Sequence, residues 1–133
     1  MRELTIEAIP ENLNYVTNLV CEELEAVQCP PKLQMQISLA VEEIFINIAC
    51  YAYSPATGNA VIRISIDDAV VIRFEDTGKP YNPLETPSPD ITLPADEREI
   101  GGLGVFMVKQ LMDDVAYSYE NGKNILTVTK KIT

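Results

Sequence analysis

The chain has no histidine. This absence excludes a histidine nucleophile, a histidine general base, a phosphohistidine acceptor and histidine metal ligands. The three cysteines, Cys21, Cys29 and Cys50, are an odd number without CxxC spacing, so we interpret them as small buried apolar residues. Any metal site or general base must therefore use other side chains.

Basic residues are also scarce, with 10 lysines and arginines against 20 acidic residues and a net charge of −10. Such a surface repels phosphate backbones and anionic membranes, so we expect neither nucleic acid nor a membrane as a partner. No apolar run reaches the roughly 18 residues of a membrane span. The N-terminus has no signal-peptide pattern, and a cytoplasmic location is the default expectation. The length predicts a single domain over residues 1–133.

The hydrophobic pattern predicts three helices and five strands. Pro10 and the Pro30-Pro31 pair mark the starts of two helices. The Asn121-Gly122 pair predicts a hairpin turn. The predicted strands cover 3–9, 60–66, 70–75, 115–120 and 124–132, and the helices cover 10–27, about 31–53 and 101–112. Together they predict an α+β fold, a two-layer sandwich of a mixed or antiparallel sheet with helices on one face.

Residues 77–100 hold five of the nine prolines and little periodicity. A stretch of this length without regular structure is usually a functional lid or disordered. We interpret this stretch as a lid.

Glu43 and Asn47 are two polar residues one helical turn apart in a mostly apolar segment. Residues at positions i and i+4 share a helix face, so both side chains should point the same way. Their oxygens suit a divalent cation such as Mg²⁺, which often shares its shell with phosphates. A solvated groove, or a hydrogen bond to a neighbouring loop, explains the pair equally well.

Asp76 and Gly78 stand where a predicted strand ends. The aspartate could accept a hydrogen bond from an exocyclic amine, and the glycine would let a flat ring approach the backbone. Because Asp and Gly are ordinary turn residues, a simple turn is the alternative.

Gly101, Gly102 and Gly104 open the third helix. Exposed backbone N–H groups at a helix N-terminus favour anions such as phosphate, whereas a flexible hinge is the alternative. The spacing fits neither a P-loop nor a Rossmann motif.

Thr127 and Thr129 alternate on the last strand, so both should face one side of the sheet. Threonine is common in strands because of its β-branching, which explains the pair without a functional role.

The order of these motifs resembles the GHKL superfamily with its Bergerat ATP-binding fold, and within it the stand-alone anti-sigma-factor serine/threonine kinases. The similarity extends from about Ile6 to Lys131. The matching phrases are Ala40-Val41-Glu42-Glu43 with Asn47 and Ala52-Tyr53, then Asp76-Thr77-Gly78-Lys79-Pro80-Tyr81-Asn82-Pro83, then Gly101-Gly102-Leu103-Gly104-Val105 with Lys109 through Asp113.

The resemblance implies ATP and Mg²⁺ as cofactors, with Asn47 as the metal ligand and Glu43 as the general base. It implies that Asp76 binds the adenine amine, with Gly78 beside the ring and Thr127 in an outer contact with Asp76 and adenine. Gly102 and Gly104 would hold the phosphates, with Gly101 as the hinge of the lid. Arg98, which stands shortly before the glycines, would reach the terminal phosphate.

Two positions depart from the family pattern. Tyr51 stands where these kinases usually carry histidine, and Lys79-Pro80 replaces the second glycine after Asp-x-Gly. Lys79 could neutralise phosphate charge or simply be solvated.

The resemblance implies a kinase that binds a sigma factor or a small anti-anti-sigma partner and phosphorylates the latter. Because related kinases often act as homodimers, a homodimer is also expected. The alternatives are a nucleotide-binding switch or accessory ATPase domain of a phosphorelay with little kinase activity, and an interaction module without enzymatic activity.

Overall fold

The structure is a computed structural model that describes residues 1–53, 56–80, 82 and 102–132, with the backbone alone over 102–106. Most of the predicted lid therefore lies outside the described residues. Gly101 and Arg98 also lie outside them.

The strands of the described residues form one antiparallel sheet in the order β1-β2-β3-β5-β4. They are β1 Arg2–Glu7, β2 Asn59–Ile66, β3 Ala69–Asp76, β4 Asp114–Glu120 and β5 Lys123–Lys131. Both predicted hairpins are confirmed. Asn121 and Gly122 have φ angles of 53° and 77°, which the turn of the β4–β5 hairpin requires and which Asn and Gly tolerate best.

Three helices complete the described fold: α1 Leu13–Ala26, α2 Pro31–Asn47 and α3 Gly102–Leu111. A 3₁₀ turn at Pro10–Asn12 precedes α1, where the sequence predicted α-helix from Pro10. Gln28, with φ of 56°, ends α1 in a Schellman motif, because the Cys29 N–H donates to the Leu24 carbonyl at 3.0 Å.

A π-helical turn, Ile48–Ala52, continues α2. The combined helix of 22 residues is long and apolar enough to cross a membrane by length and composition alone. Its fully buried residues, Ile37, Ala40, Val41 and Phe45, belong to the hydrophobic core of this domain. A core helix of this kind passes the same test.

The helices cover one face of the sheet, as the two-layer sandwich predicts. Alternate strand residues supply the sheet's side of the core, and α1 and α2 supply the other side. The contributing residues are Ala60, Ile62, Ile64, Val70, Ile72, Phe74 and Val128 from the sheet, and Val16, Val20, Leu24, Ile37, Val41 and Phe45 from the helices.

The opposite face of the sheet carries paired charges. Glu75 is buried there between Arg63 and Arg73, and Arg63 Nε also donates to Glu3 at 2.7 Å. Glu75 and Asp76 are consecutive on β3, so they point to opposite faces. Asp76 therefore lies on the side of the helices.

Candidate functional site

Asp76 is the last residue of β3, and it is only 7% exposed. Its Oδ1 accepts a hydrogen bond from the Gly78 backbone N–H at 2.9 Å and another from Asn124 Nδ2 at 3.0 Å. Among the described residues, no hydrogen bond reaches its Oδ2. One carboxylate oxygen is thus fixed by the protein.

Burial raises the pKa of the Asp76 carboxyl above its ordinary value, whereas the hydrogen bonds from Asn124 and Gly78 lower it. The surroundings therefore balance desolvation against donors to the charged form. A buried carboxylate with a perturbed pKa at a strand end is a typical feature of a binding site.

Asn124, which the sequence analysis did not single out, holds the turn after Asp76. Its Nδ2 donates to Asp76 Oδ1 and also to the Lys79 carbonyl at 2.8 Å, while the Tyr117 hydroxyl donates to its Oδ1. Asn124 is in phase with Leu126 and Val128, which face the helix layer. A polar residue at a position that alternates with apolar, helix-facing residues of the same strand is the sequence signal that could have identified Asn124.

Thr127 does not make the predicted contact with Asp76. The β3–β5 register pairs Asp76 with Asn124 and pairs Thr127 with Arg73, on the opposite face of the sheet. Thr127 and Thr129 do share one face, as their alternation predicted, but it is the face away from the helices. Asn124 occupies the place that the resemblance gave to Thr127.

Gly78 lies directly against the end of the α2 helix. A Cβ on Gly78 would stand 2.3 Å from the Ala52 carbonyl oxygen, which no side chain tolerates. The next residue, Lys79, donates its backbone N–H to the same carbonyl at 3.0 Å. Glycine is therefore required for contact between the turn and the helix, a role different from the predicted one beside a flat ring.

Asn47 ends α2 immediately before the π-helical turn, and Glu43 lies one turn earlier. Both side chains are half-buried, and no hydrogen bond joins them in the described part of the chain. Because the π-helical turn leads directly to Ala52, the polar end of α2 and the Asp76 turn lie at the same end of the domain. π-helical turns are frequent at functional sites.

Gly102 and Gly104 lie in the first turn of α3, which packs against α2. Their backbone N–H groups stand at a helix N-terminus, where partial positive charge favours anions. This placement brings the third predicted motif to the helix that carries Glu43 and Asn47.

The donor set fits a magnesium nucleotide better than a bare metal ion. Within the described ranges, no three acidic or cysteine side chains come together as a metal cage. Mg²⁺ usually needs only one or two protein oxygens when phosphates and waters complete its shell. Asn47 can supply such an oxygen, and Asp76 Oδ2 can accept a base amine.

Replacing Asn124 with aspartate should destabilise the fold. The new carboxylate would face Asp76 Oδ1 and the Lys79 carbonyl in place of a donor, which costs on the order of 1–3 kcal/mol. Thermal unfolding should show a clearly lower Tm for Asn124→Asp. The matched control is Asn121→Asp, which makes the same charge change in the exposed turn and should leave the Tm almost unchanged. Equal Tm values would show that Asn124 does not hold the turn.

Comparison with known families and proteins places this geometry in context. The family model described as Histidine kinase-like ATPase domain matches residues 6–130. The Serine/threonine-protein kinase BtrW of Bordetella bronchiseptica is 27% identical over 101 residues, covering 74% of this chain and 70% of BtrW. The Serine-protein kinase RsbW of Listeria monocytogenes is 31% identical over 103 residues, covering 72% of this chain and 64% of RsbW. This chain thus spans less than two thirds of that relative.

Solved structures share the fold. The RsbU and RsbW domains of Rv1364c from Mycobacterium tuberculosis match with a TM-score of 0.65 at 16% identity, covering 99% of this chain and 33% of that one. The histidine kinase domain of the blue-light activated histidine kinase EL346 from Erythrobacter litoralis matches with a TM-score of 0.54 at 16% identity, covering 92% of this chain and 60% of that one. At these identities the similarity shows the fold alone.

The family model covers both core helices, the Asp76 turn and the sheet except for most of β1. The matched structures share the fold over 99% and 92% of this chain. The chain therefore belongs to the family of histidine kinase-like ATPase domains, as its resemblance to the GHKL superfamily predicted.

Proposed function

We propose that the chain is an ATP-dependent protein serine/threonine kinase of the anti-sigma-factor type, which regulates a partner-switching pathway by phosphorylating a small partner protein. The observation that carries this proposal is the buried Asp76 carboxylate, with one oxygen fixed by Asn124 and Gly78, in a turn packed on the helix that bears Glu43 and Asn47. The names of the relatives, serine and serine/threonine kinases, support it.

In this proposal, Asp76 Oδ2 accepts a hydrogen bond from the exocyclic amine of adenine. A buried carboxylate makes a charge-assisted hydrogen bond, which is stronger than a neutral one. Guanine carries a carbonyl oxygen at that position, which the carboxylate would repel. The site should therefore prefer ATP to GTP.

Asn47 would hold Mg²⁺ together with the ATP phosphates, and bound Mg²⁺ would supply charge neutralisation and orientation for phosphoryl transfer. Glu43 would accept the proton of the attacking serine or threonine hydroxyl. The backbone N–H groups of Gly102 and Gly104 would bind phosphate oxygens, with Gly101 as the hinge of the lid. Arg98 would reach the terminal phosphate.

The proposed partners are a sigma factor and an anti-anti-sigma type protein. In this proposal the chain acts as a homodimer in the cytoplasm. The net charge of −10 speaks against nucleic acid as a direct partner. An acidic surface instead suits a partner with basic residues.

A phosphotransfer assay tests the proposal. The protein is incubated with Mg²⁺, γ-labelled ATP and each anti-anti-sigma protein of the organism that encodes it. We expect label on a serine or threonine of one of these proteins. ATP binding without transfer to any of them would contradict the kinase activity and leave a nucleotide-binding switch.

The Asp76→Asn variant should separate nucleotide binding from stability. An amide of the same shape would present N–H groups to the adenine amine, so we expect ATP affinity to fall about tenfold to hundredfold, the equivalent of losing a hydrogen bond to a charged group. Calorimetric titration with Mg-ATP measures this loss. The matched control is Asp68→Asn in the exposed turn between β2 and β3, which should bind ATP as the parent does.

The same variant should not lose stability at neutral pH. Because burial raises the pKa of Asp76, the folded chain holds this proton more tightly than the unfolded chain does. The stability that this group contributes is therefore present below its unfolded pKa and lost as the pH rises through its folded pKa. The Asp76→Asn variant has no carboxyl group to ionise at this position, so this fall in stability with rising pH does not occur. Its Tm at neutral pH should therefore equal or exceed that of the parent. A much lower Tm would contradict this assignment.

A further inference from the structure

Tyr53 follows the π-helical turn of α2, and its hydroxyl reaches the turn after Asp76. The hydroxyl oxygen accepts a hydrogen bond from the Thr77 backbone N–H at 2.8 Å, and the hydroxyl donates to the Asn59 carbonyl at 2.6 Å. The Thr77 hydroxyl lies 3.2 Å away. One side chain thus joins the end of α2, the start of β2 and the exit of β3.

The direction of these hydrogen bonds follows from the groups involved. A phenol has a single hydrogen, and the Asn59 carbonyl can only accept, so the Tyr53 hydrogen points to Asn59. Towards Thr77 the phenol oxygen is then an acceptor. The Thr77 backbone N–H has no ladder partner beyond the end of β3, so the Tyr53 hydroxyl supplies what the sheet does not.

The Tyr53 ring is held in place by a glycine. A Cβ on Gly58 would stand 2.4 Å from the ring atom Cε1, so only glycine leaves room for the ring at this point. Gly58 is itself fixed, because its carbonyl accepts the Ala8 N–H at 2.8 Å. The orientation of the phenol is therefore set by the backbone beside it.

Ala52 and Tyr53 together bind both sides of the turn. The Ala52 carbonyl accepts the Lys79 N–H, and the Tyr53 hydroxyl accepts the Thr77 N–H. Ala52, the last residue of the π-helical turn, and Tyr53, which follows it, therefore fix the two residues that flank Gly78. The Asp76 carboxylate is attached to this turn, so its direction depends on these contacts.

We propose that Tyr53 is a positioning residue that aims Asp76 and thereby sets the preference of the site for adenine over guanine nucleotides. This inference rests on the proposed function as an ATP-binding kinase. Loss of the hydroxyl loosens the turn. ATP then loses its hydrogen bond to Asp76, and its affinity falls. GTP has no amine at that position and makes no such hydrogen bond, so its affinity changes little.

The Tyr53→Phe variant tests this role by calorimetric titration with Mg-ATP and with Mg-GTP. We expect the Kd for ATP to rise about fivefold to tenfold, the scale of one lost hydrogen bond, and the Kd for GTP to change less than about twofold. The ratio of the two affinities should fall accordingly. The matched control is Tyr15→Phe on α1, where the ring is 64% exposed, and this variant should keep the parent's ratio.

Amide hydrogen exchange of the protein without nucleotide provides a second, independent measurement. The Thr77 amide should exchange faster in Tyr53→Phe than in the parent, because its acceptor has been removed. An unchanged Thr77 exchange rate would overturn the contact itself. Faster exchange with an unchanged ATP to GTP ratio would overturn the positioning role.

Failure of the proposed function has a different signature. If the parent protein binds neither ATP nor GTP, the nucleotide site is overturned, and the base preference assigned to Tyr53 is overturned with it. The Thr77 exchange rate would still report whether the Tyr53 contact exists. A uniform loss of both affinities in Tyr53→Phe would indicate a merely structural role, and would likewise contradict the inference.

Discussion

Replacing Asn47 with alanine is expected to abolish magnesium-dependent ATP binding while the fold stays intact. In the proposed site, Asn47 supplies the protein oxygen to the metal, and the phosphates complete the shell. Groups that only support a metal ligand already contribute 10-fold to 100-fold to metal affinity, so removal of the ligand should cost at least about a hundredfold.

The structure explains why the fold should tolerate this change. Asn47 is half-buried at the end of α2, and its side chain makes no hydrogen bond within the described residues. Alanine also has a higher helix propensity than asparagine, by about 0.5 kcal/mol. The Tm of Asn47→Ala should therefore equal or slightly exceed that of the parent.

Calorimetric titrations with ATP, in the presence and absence of Mg²⁺, measure the effect. The parent should bind ATP more tightly with Mg²⁺, and Asn47→Ala should bind it equally weakly under both conditions. The control is Asn18→Ala on the exposed side of α1, which should bind as the parent does. Unchanged Mg-ATP affinity in Asn47→Ala would remove this residue from the metal site.

Replacing Glu43 with glutamine is expected to lower phosphotransfer by about 10²-fold to 10⁴-fold, the usual contribution of a general base. Glutamine keeps the shape of the side chain and cannot accept the proton of the attacking hydroxyl. ATP affinity should remain within about threefold of the parent, because Glu43 acts on the acceptor and not on the base or ribose.

A neighbouring residue offers a close control for Glu43. Glu42→Gln makes the same change of charge one position earlier on α2, where the side chain is exposed. Single-turnover transfer from γ-labelled ATP should fall in Glu43→Gln and stay at the parent's rate in Glu42→Gln. Equal rates in both variants would exclude Glu43 as the base.

Much of the fold could be predicted from sequence because the local signals are strong. Turn and helix-start residues mark where elements begin, namely Asn121-Gly122, Pro10 and Pro31. The periodicity of apolar residues along each element determines which of its faces is buried. The π-helical turn at Ile48–Ala52 could not be predicted, because it accompanies tertiary contacts of Ala52 and Tyr53 with the turn after β3.

The candidate site could be predicted only in part, because its contacts also depend on tertiary structure. Asp76 lies at the end of a strand, as the pattern indicated, and it faces the helices. The family resemblance predicts Thr127 as its partner, whereas the strand register pairs Asp76 with Asn124. Asn124 alternates with Leu126 and Val128 along β5, so the pattern places it on the face of the helices. Its pairing with Asp76 follows only when the register of β3 with β5 is known.

Lys79 illustrates how one departure from the family pattern is accommodated. Its side chain is exposed, whereas its backbone N–H donates to Ala52 and its carbonyl accepts from Asn124. The position is therefore fixed through backbone atoms. A residue with a side chain is compatible with the turn here, unlike at Gly78.

A titration of isotope-labelled protein with Mg-ATP, followed by NMR, tests the central claim most directly. If the turn after β3 and the end of α2 hold the nucleotide, the amides of Gly78, Lys79 and Asn124 and those from Asn47 to Tyr53 should shift together along one saturable curve. Absence of shifts, or shifts confined to the charged face of the sheet around Arg63 and Arg73, would contradict the account.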